Sequence, residues 1–321
     1  MKFKKIALAS FALVSAMALT ACGSNSSSKK EDAVSVGIIQ YAEHDALSSS
    51  RKGFLEALKD AGYVEGENLT VDFQNAQGDQ ANLQTMVDQL AGQNDLNFAI
   101  ATPAAQALLN VDSETPAVFT AVTDPVSAGL VDSLETPGGN MTGSIDATDA
   151  EGQVEMLLKV VPEAKTVGIF YNSSEVNSEV QAKQAKEALE AAGKTVVIKT
   201  VTSTNDVQQV MTSLAGQVDA IYLPTDNTVA STAATISEIL MDKKVPAIGS
   251  DEAYLEAVLF TYGVDYHAIG VQAGELAVEV LKGKDPADLA VKKPDTAAIA
   301  VNEEMAKALG IDSASIEELN K

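Results

Sequence analysis

Val34-Ser35-Val36-Gly37-Ile38-Ile39-Gln40 is a short apolar run rich in β-branched residues, the pattern of a strand buried on both faces. Its centre, Val36-Gly37-Ile38, returns later as Val167-Gly168-Ile169. Ala57-Leu58-Lys59-Asp60-Ala61-Gly62 returns as Ala188-Leu189-Glu190-Ala191-Ala192-Gly193, displaced by the same interval. Leu90-Ala91-Gly92 is answered by Leu214-Ala215-Gly216, and Pro116-Ala117-Val118 by Pro246-Ala247-Ile248. Each match alone is weak, but four in one order indicate a duplicated plan.

Between these landmarks, apolar runs alternate with helical patterns. Ser48 to Ala61 carries Phe54, Leu55 and Leu58 at helical spacing and stops at Gly62. A strand (Leu69 to Phe73), a helix (Gln80 to Leu90), a strand (Asn97 to Ala101), a helix from Pro103 and a strand (Ala117 to Thr120) follow. Such alternation implies right-handed βαβ units. The fold class expected is α/β, with two similar open parallel-sheet lobes. A last helix (His267 to Leu281) and strand (Thr296 to Val301) then require three crossings between lobes, through hinges near Ser144, Tyr262 and Leu289. One lobe comprises residues 33–144 with 264–288, the other 145–263 with 289–321. No Pro/Gly/Ser-rich spacer separates the repeats.

The first residues belong to a different plan. Lys2, Lys4 and Lys5 precede an apolar stretch, Ile6 to Thr20, that is short beside the roughly 20 residues a membrane-spanning helix needs. It ends in Leu19-Thr20-Ala21-Cys22, which resembles a bacterial lipobox. Residues 1–22 therefore read as a lipoprotein signal segment, with Cys22 lipidated. Two or more chains, each adding about 0.8 kcal/mol per buried CH₂, hold a protein to a bilayer without a spanning helix. Residues 23–32 are polar and serine-rich, a tether. The expected location is the extracellular face of the plasma membrane.

The chain has 321 residues, of which 46% are hydrophobic, enough for two modest cores. Its 45 acidic against 22 basic residues, with Arg51 as the single arginine, argue against nucleic acid as a partner. One cysteine and two histidines, His44 and His267, exclude an internal disulfide and a Cys/His metal cluster. No cofactor is expected.

Several stretches together resemble one group of type I periplasmic-binding folds, the tryptophan/tyrosine-type ABC transporter substrate-binding proteins. They are Glu43-His44-Asp45-Ala46-Leu47 with Arg51-Lys52-Gly53-Phe54, Gly139-Asn140-Met141-Thr142-Gly143, Asn172-Ser173-Ser174-Glu175 with Asn177-Ser178, Pro224-Thr225-Asp226-Asn227-Thr228-Val229, and Gly263-Val264-Asp265-Tyr266. The resemblance implies capture of an amino acid, aromatic in type, by a monomer that works with a membrane permease and an ATPase.

Open α/β sheets bind ligands beyond the carboxyl ends of their strands, and two facing lobes make a cleft there. Gln40 and Tyr41 end the first strand, and Ser48 to Ser50 open the first helix, either as an anion site or as simple caps. Thr102 and the amide of Ala104 stand at the next helix start, ready for a carboxylate. Thr123 and Asp124 follow the next strand, Asp124 equally suited to a turn before Pro125. In the second lobe Asn172, Ser173 and Ser178 mirror the first-lobe loop, and Asn227 adjoins Asp226. Asp226 or Asp251 is the expected partner of a substrate ammonium, with an Asx cap as the competing role for both. Tyr41 and Tyr262 are placed to stack on a flat side chain.

No Gly-x-Ser-x-Gly elbow, phosphate-cradling loop, His-Glu-x-x-His or Cys-x-x-Cys occurs. A receptor is expected rather than an enzyme. Two alternatives remain: a type I binding protein for a sugar, nucleoside or other small polar ligand, and a surface signalling or adhesive lipoprotein without a transport role.

Overall fold

The computed structural model describes residues 33–320; the signal segment, Cys22 and the tether lie outside them. The chain runs β1 (Val34–Gln40), α1 (Asp45–Asp60), β2 (Leu69–Asn75), α2 (Gln80–Leu90), β3 (Leu96–Ile100), α3 (Thr102–Val111), β4 (Ala117–Val122) and β5 (Met141–Ile145). It continues α4 (Ala150–Val160), β6 (Thr166–Asn172), α5 (Val176–Ala191), β7 (Thr195–Val201), α6 (Val207–Ala215), β8 (Ala220–Leu223), α7 (Asn227–Ala230), α8 (Ala233–Lys243), β9 (Ala247–Gly249) and β10 (Phe260–Val264). Then come α9 (Tyr266–Leu281), β11 (Ala297–Val301), α10 (Glu303–Leu309) and α11 (Ser313–Glu317).

The duplication in the sequence is a duplication in space. The first sheet has the order β2-β1-β3-β4-β5, and the second repeats it as β7-β6-β8-β9-β10, with β11 added at the edge. Val36-Gly37-Ile38 and Val167-Gly168-Ile169 lie on the equivalent strands β1 and β6, each paired in parallel with two neighbours. Two separate hydrophobic cores result, one under each sheet. The lobes are the two open α/β sheets expected, with one correction. β11 runs antiparallel to β10, Phe260 facing Val301 and Val264 facing Ala297. β10 ends at the hinge and β11 begins there, so the returning strand has to run the opposite way.

Two connections between the sheets run from Ile145 to Ala150 and from Val264 to Tyr266. The third falls later than Leu289. Thr142 donates to the Leu289 carbonyl, the amide of Val291 bonds Leu134, and that of Lys292 bonds Gly143. The chain therefore leaves the first lobe only after Lys292. Apolar Val291 is drawn into that lobe's core.

What ties the second hinge down is the crossing of α1 and α9. Gly53, Gly270 and Gly274 sit at the contact. A Cβ at Gly270 would overlap the Ser50 carbonyl, and one at Gly53 the His267 carbonyl. Small residues are needed because the backbones themselves touch. Gly270→Ala is expected to cost about 1–3 kcal/mol by overpacking. That should appear as a lower urea midpoint, whereas Glu187→Ala on the exposed face of α5 shifts it by no more than about 0.5 kcal/mol.

Candidate ligand-binding site

The carboxyl ends of both sheets face one seam, and side chains cross it. His44, the N-cap of α1, approaches Asn227 at the start of α7 (Nε2 to Oδ1, 3.4 Å). Tyr266, the first residue of α9, donates toward Asp251 of the second lobe at 2.6 Å. Tyr41 is buried at the end of β1. Its phenol is pushed up to about 12, first by burial and then by the charge of Glu175 from the second lobe.

Glu175 organises the second lobe's side of the seam. It is fully buried, and its Oε2 accepts the amide (3.0 Å) and the Nδ2 (2.6 Å) of Asn227. Its Oε1 accepts the amide (3.0 Å) and the hydroxyl (2.9 Å) of Thr228. Asp226 beside it caps α7 through the Val229 amide (2.8 Å) and accepts the Asn172 amide (2.6 Å). Burial raises the Asp226 carboxyl well above the usual carboxylate range, and the Glu175 charge adds to it.

Against this satisfied framework stands a set of buried polar atoms with no partner. From the first lobe come Gln40 Oε1, Thr102 Oγ1, Thr123 Oγ1 and Asp146 Oδ1; from the second come Asn177 Oδ1, Gln181 Nε2 and Thr225 Oγ1. Every one lies at a strand's carboxyl end or in the first two turns of the helix that follows. Buried polar groups are almost always paired, so these unpaired strand-end atoms are candidates for contact with a polar ligand; His44 Nδ1, Asn140 Oδ1 and Gln272 Oε1 are also unpaired. Thr123 and Gln181 also line a groove of about 500 Å³ whose floor includes Ile145 and Pro294. Backbone strain gathers here too: Ala101 (φ 85°) and Ala121 (φ 54°) adopt left-handed conformations at the ends of β3 and β4. α3 has no side-chain cap, so its first N–H groups, among them that of Ala104, remain available to an anion.

Of the residues singled out in the sequence, Gln40, Thr102 and Thr123 supply unpaired atoms, and Tyr41 and Ala104 border them. Asn172, Ser178, Asp226 and Asn227 are buried in the second-lobe framework. Ser178 donates to the Thr225 carbonyl at 2.9 Å, and Asn172 to the Thr228 hydroxyl at 2.8 Å. Asp124 takes the turn role, accepting the Ser127 amide. Three residues are not brought in. α1 starts at Asp45, one turn early, so Ser48 lies inside the helix and donates to Glu43 (2.7 Å). Ser173 is exposed. Tyr262 is in mid-strand because β10 runs on to Val264; it pairs with Ile299 of β11, and its carbonyl accepts from Gln153.

Both carboxylates proposed for an ammonium are committed elsewhere. Asp251 accepts the Ala253 amide and the Tyr266 hydroxyl. Asp146, just past β5, is 2% exposed, and one of its oxygens is unpaired, which makes it the better partner for a cation. Sequence reasoning missed Asp146, Glu175, Tyr266, Gln181 and Thr225. Glu175, Thr225 and Tyr266 nonetheless lie inside the stretches that carried the family resemblance.

Paired lobes closing on a buried polar seam define a solute-binding protein. The chain matches the ABC transporter substrate binding protein family over residues 35–318 and belongs to it. Its lobes are of the type I periplasmic-binding kind. It is 40% identical to a tyrosine-binding protein of Clostridioides difficile, over 94% of this chain and 90% of that one. A Streptococcus pneumoniae ABC domain in complex with L-Trp is 38% identical, with a TM-score of 0.84 over 88% of this chain and 96% of that one. The ligand-free, open structure of a substrate-binding protein with adhesive properties from Clostridium difficile is 42% identical, with a TM-score of 0.66 over 87% and 95%. Higher identity with a poorer overlay is what a different setting of the lobes produces. This chain overlays more closely on the L-Trp complex than on the open structure.

Glu175→Ala is expected to leave the donors of Asn227 and Thr228 unpaired in a buried setting. The loss is on the order of 3–5 kcal/mol, the range for removing one partner of a buried charged interaction. Chemical denaturation should show it as a lower midpoint with an unchanged slope.

Proposed function

We propose that this chain captures an aromatic amino acid by closing its two lobes on it, and hands it to a membrane permease. The observation that carries the proposal is the division of the unpaired polar atoms between the lobes. The first lobe offers groups to both charged ends of a zwitterion, and the second adds the unpaired atoms of Asn177, Gln181 and Thr225, which reach the ligand only when the lobes meet. In this reading the ammonium faces Asp146 Oδ1, and the carboxylate faces Thr102 and the uncapped start of α3. The aromatic side chain is suggested by the tyrosine-binding relative and by the neighbour that holds L-Trp. The mechanism is a population shift: ligand completes contacts available only in the closed arrangement. Reading Cys22 as lipidated extends the proposal to a monomer tethered at the extracellular face of the membrane.

A thermal-shift panel of the twenty amino acids, with sugars and nucleosides beside them, tests the reading. Ligand at a hundredfold excess over Kd stabilises by about 2.7 kcal/mol, several degrees of melting temperature. The shift is expected with L-tyrosine, L-tryptophan or L-phenylalanine, together with compaction in solution scattering. The amide side chains of Gln40, Asn177 and Gln181 also suit a sugar, and a shift with sugars alone would overturn the amino-acid assignment. Asp146→Ala should weaken amino-acid affinity at least tenfold, about 1.4 kcal/mol, while preserving the melting temperature of the free protein within a few degrees.

A further inference from the structure

Tyr266 Oη lies 2.8 Å from Asp146 Oδ2 and 2.6 Å from Asp251 Oδ2. Each of these contacts between oxygens needs a hydrogen, yet a phenol carries one. We infer that closing the lobes takes up one proton, held on the Asp146–Tyr266–Asp251 array, and that Tyr266 and Asp251 act through it as positioning residues for the Asp146 carboxylate. With a cation facing Asp146 Oδ1, the proton resides on Asp251. Asp251 donates to Tyr266 Oη, Tyr266 donates to Asp146 Oδ2, and Asp146 keeps its charge for the ligand. No bond other than hydrogen bonds is made or broken, and the proton comes from solvent.

The array straddles the hinge. Asp146 opens the first crossing, Tyr266 closes the second, and Asp251 belongs to the second lobe, so opening exposes Asp251 to water. The charges around it are acidic. Glu252, on the one-turn helix after Asp251, is pushed up to about 7 by burial, by Asp251 and by Asp265 at the N-cap of α9, with Asp45 of α1 adding to the effect. Thr123, beyond β4, is the neutral neighbour of Asp146. Burial, opposed in part by the Tyr266 hydrogen bond, lifts Asp146 to about 6, and burial likewise raises Asp251. For acids raised in the closed form, the contribution to closure is complete at low pH and is lost as pH rises through the closed-form value. Affinity for a cationic ligand is therefore expected to fall several-fold between pH 5 and pH 8.

The test is carboxyl-carbon NMR of aspartate-labelled full-length protein between pH 5 and 8, with and without L-tryptophan, alongside L-tryptophan affinity across the same range. The choice of probe rests on the proposed function; the carboxyl titration does not. A carboxyl titrating near or above pH 6, absent in Asp251→Asn and displaced in Tyr266→Phe, is the expected result. The Asp251→Asn protein, whose amide replaces the proton donor, should bind with an affinity flat in pH. Aspartates that all titrate in the ordinary range in both samples would overturn the inference. A high titration that persists while no amino acid binds would sink the ligand assignment and leave the array standing.

Discussion

The backbone contact between α1 and α9 is the constraint on which the site depends. α9 follows β10 of the second lobe in the chain but packs on the first, and three glycines let it lie directly against α1. That docking makes the second crossing obligatory and sends β11 back as an antiparallel edge. It also fixes the starts of both helices at the same end of the lobe. His44 at α1 and Tyr266 at α9 are thereby presented to the opposing lobe as one surface.

Much of this was legible in the sequence, because duplication writes itself in short motifs and buried parallel strands write themselves as apolar runs. α2 has the ends expected of it, and the strand-end rule pointed to Gln40, Thr102 and Thr123. What escaped notice depended on distant neighbours. Asp146 looks like any loop aspartate until Tyr266 and Asp251 are folded beside it. Glu175 looks like a surface residue until the start of α7 wraps its carboxylate. The three serines at 48–50 imitate a helix start, but α1 begins a turn earlier without a side-chain cap. The third hinge was placed early because Val291, three residues past the helical turn Pro286–Asp288, is pulled back into the first core.

The two sides of the seam solve the polar-burial problem differently. The second lobe satisfies its buried carboxylates internally, Glu175 through four hydrogen bonds and Asp226 through two backbone amides. It therefore presents a rigid, preformed wall. The first lobe leaves oxygens of Gln40, Thr102, Thr123 and Asp146 open and holds two alanines in left-handed conformations. The local free energy is high there, as expected of a surface shaped to bind and not to stabilise the fold.

This asymmetry makes closure and binding a single event. An unpaired buried polar group costs roughly 1–3 kcal/mol. A lobe pair that shuts without cargo carries that cost several times over, whereas open lobes hand the same atoms to water. A ligand that pairs them removes the penalty only in the shut form, so its differential affinity is built into the protein's own unsatisfied atoms. Selectivity follows from the same source. A ligand of the right size without an ammonium would leave Asp146 Oδ1 bare, and one without a carboxylate would leave the start of α3 unanswered. Either would be rejected by the desolvation of protein groups, before any contact with its side chain is considered.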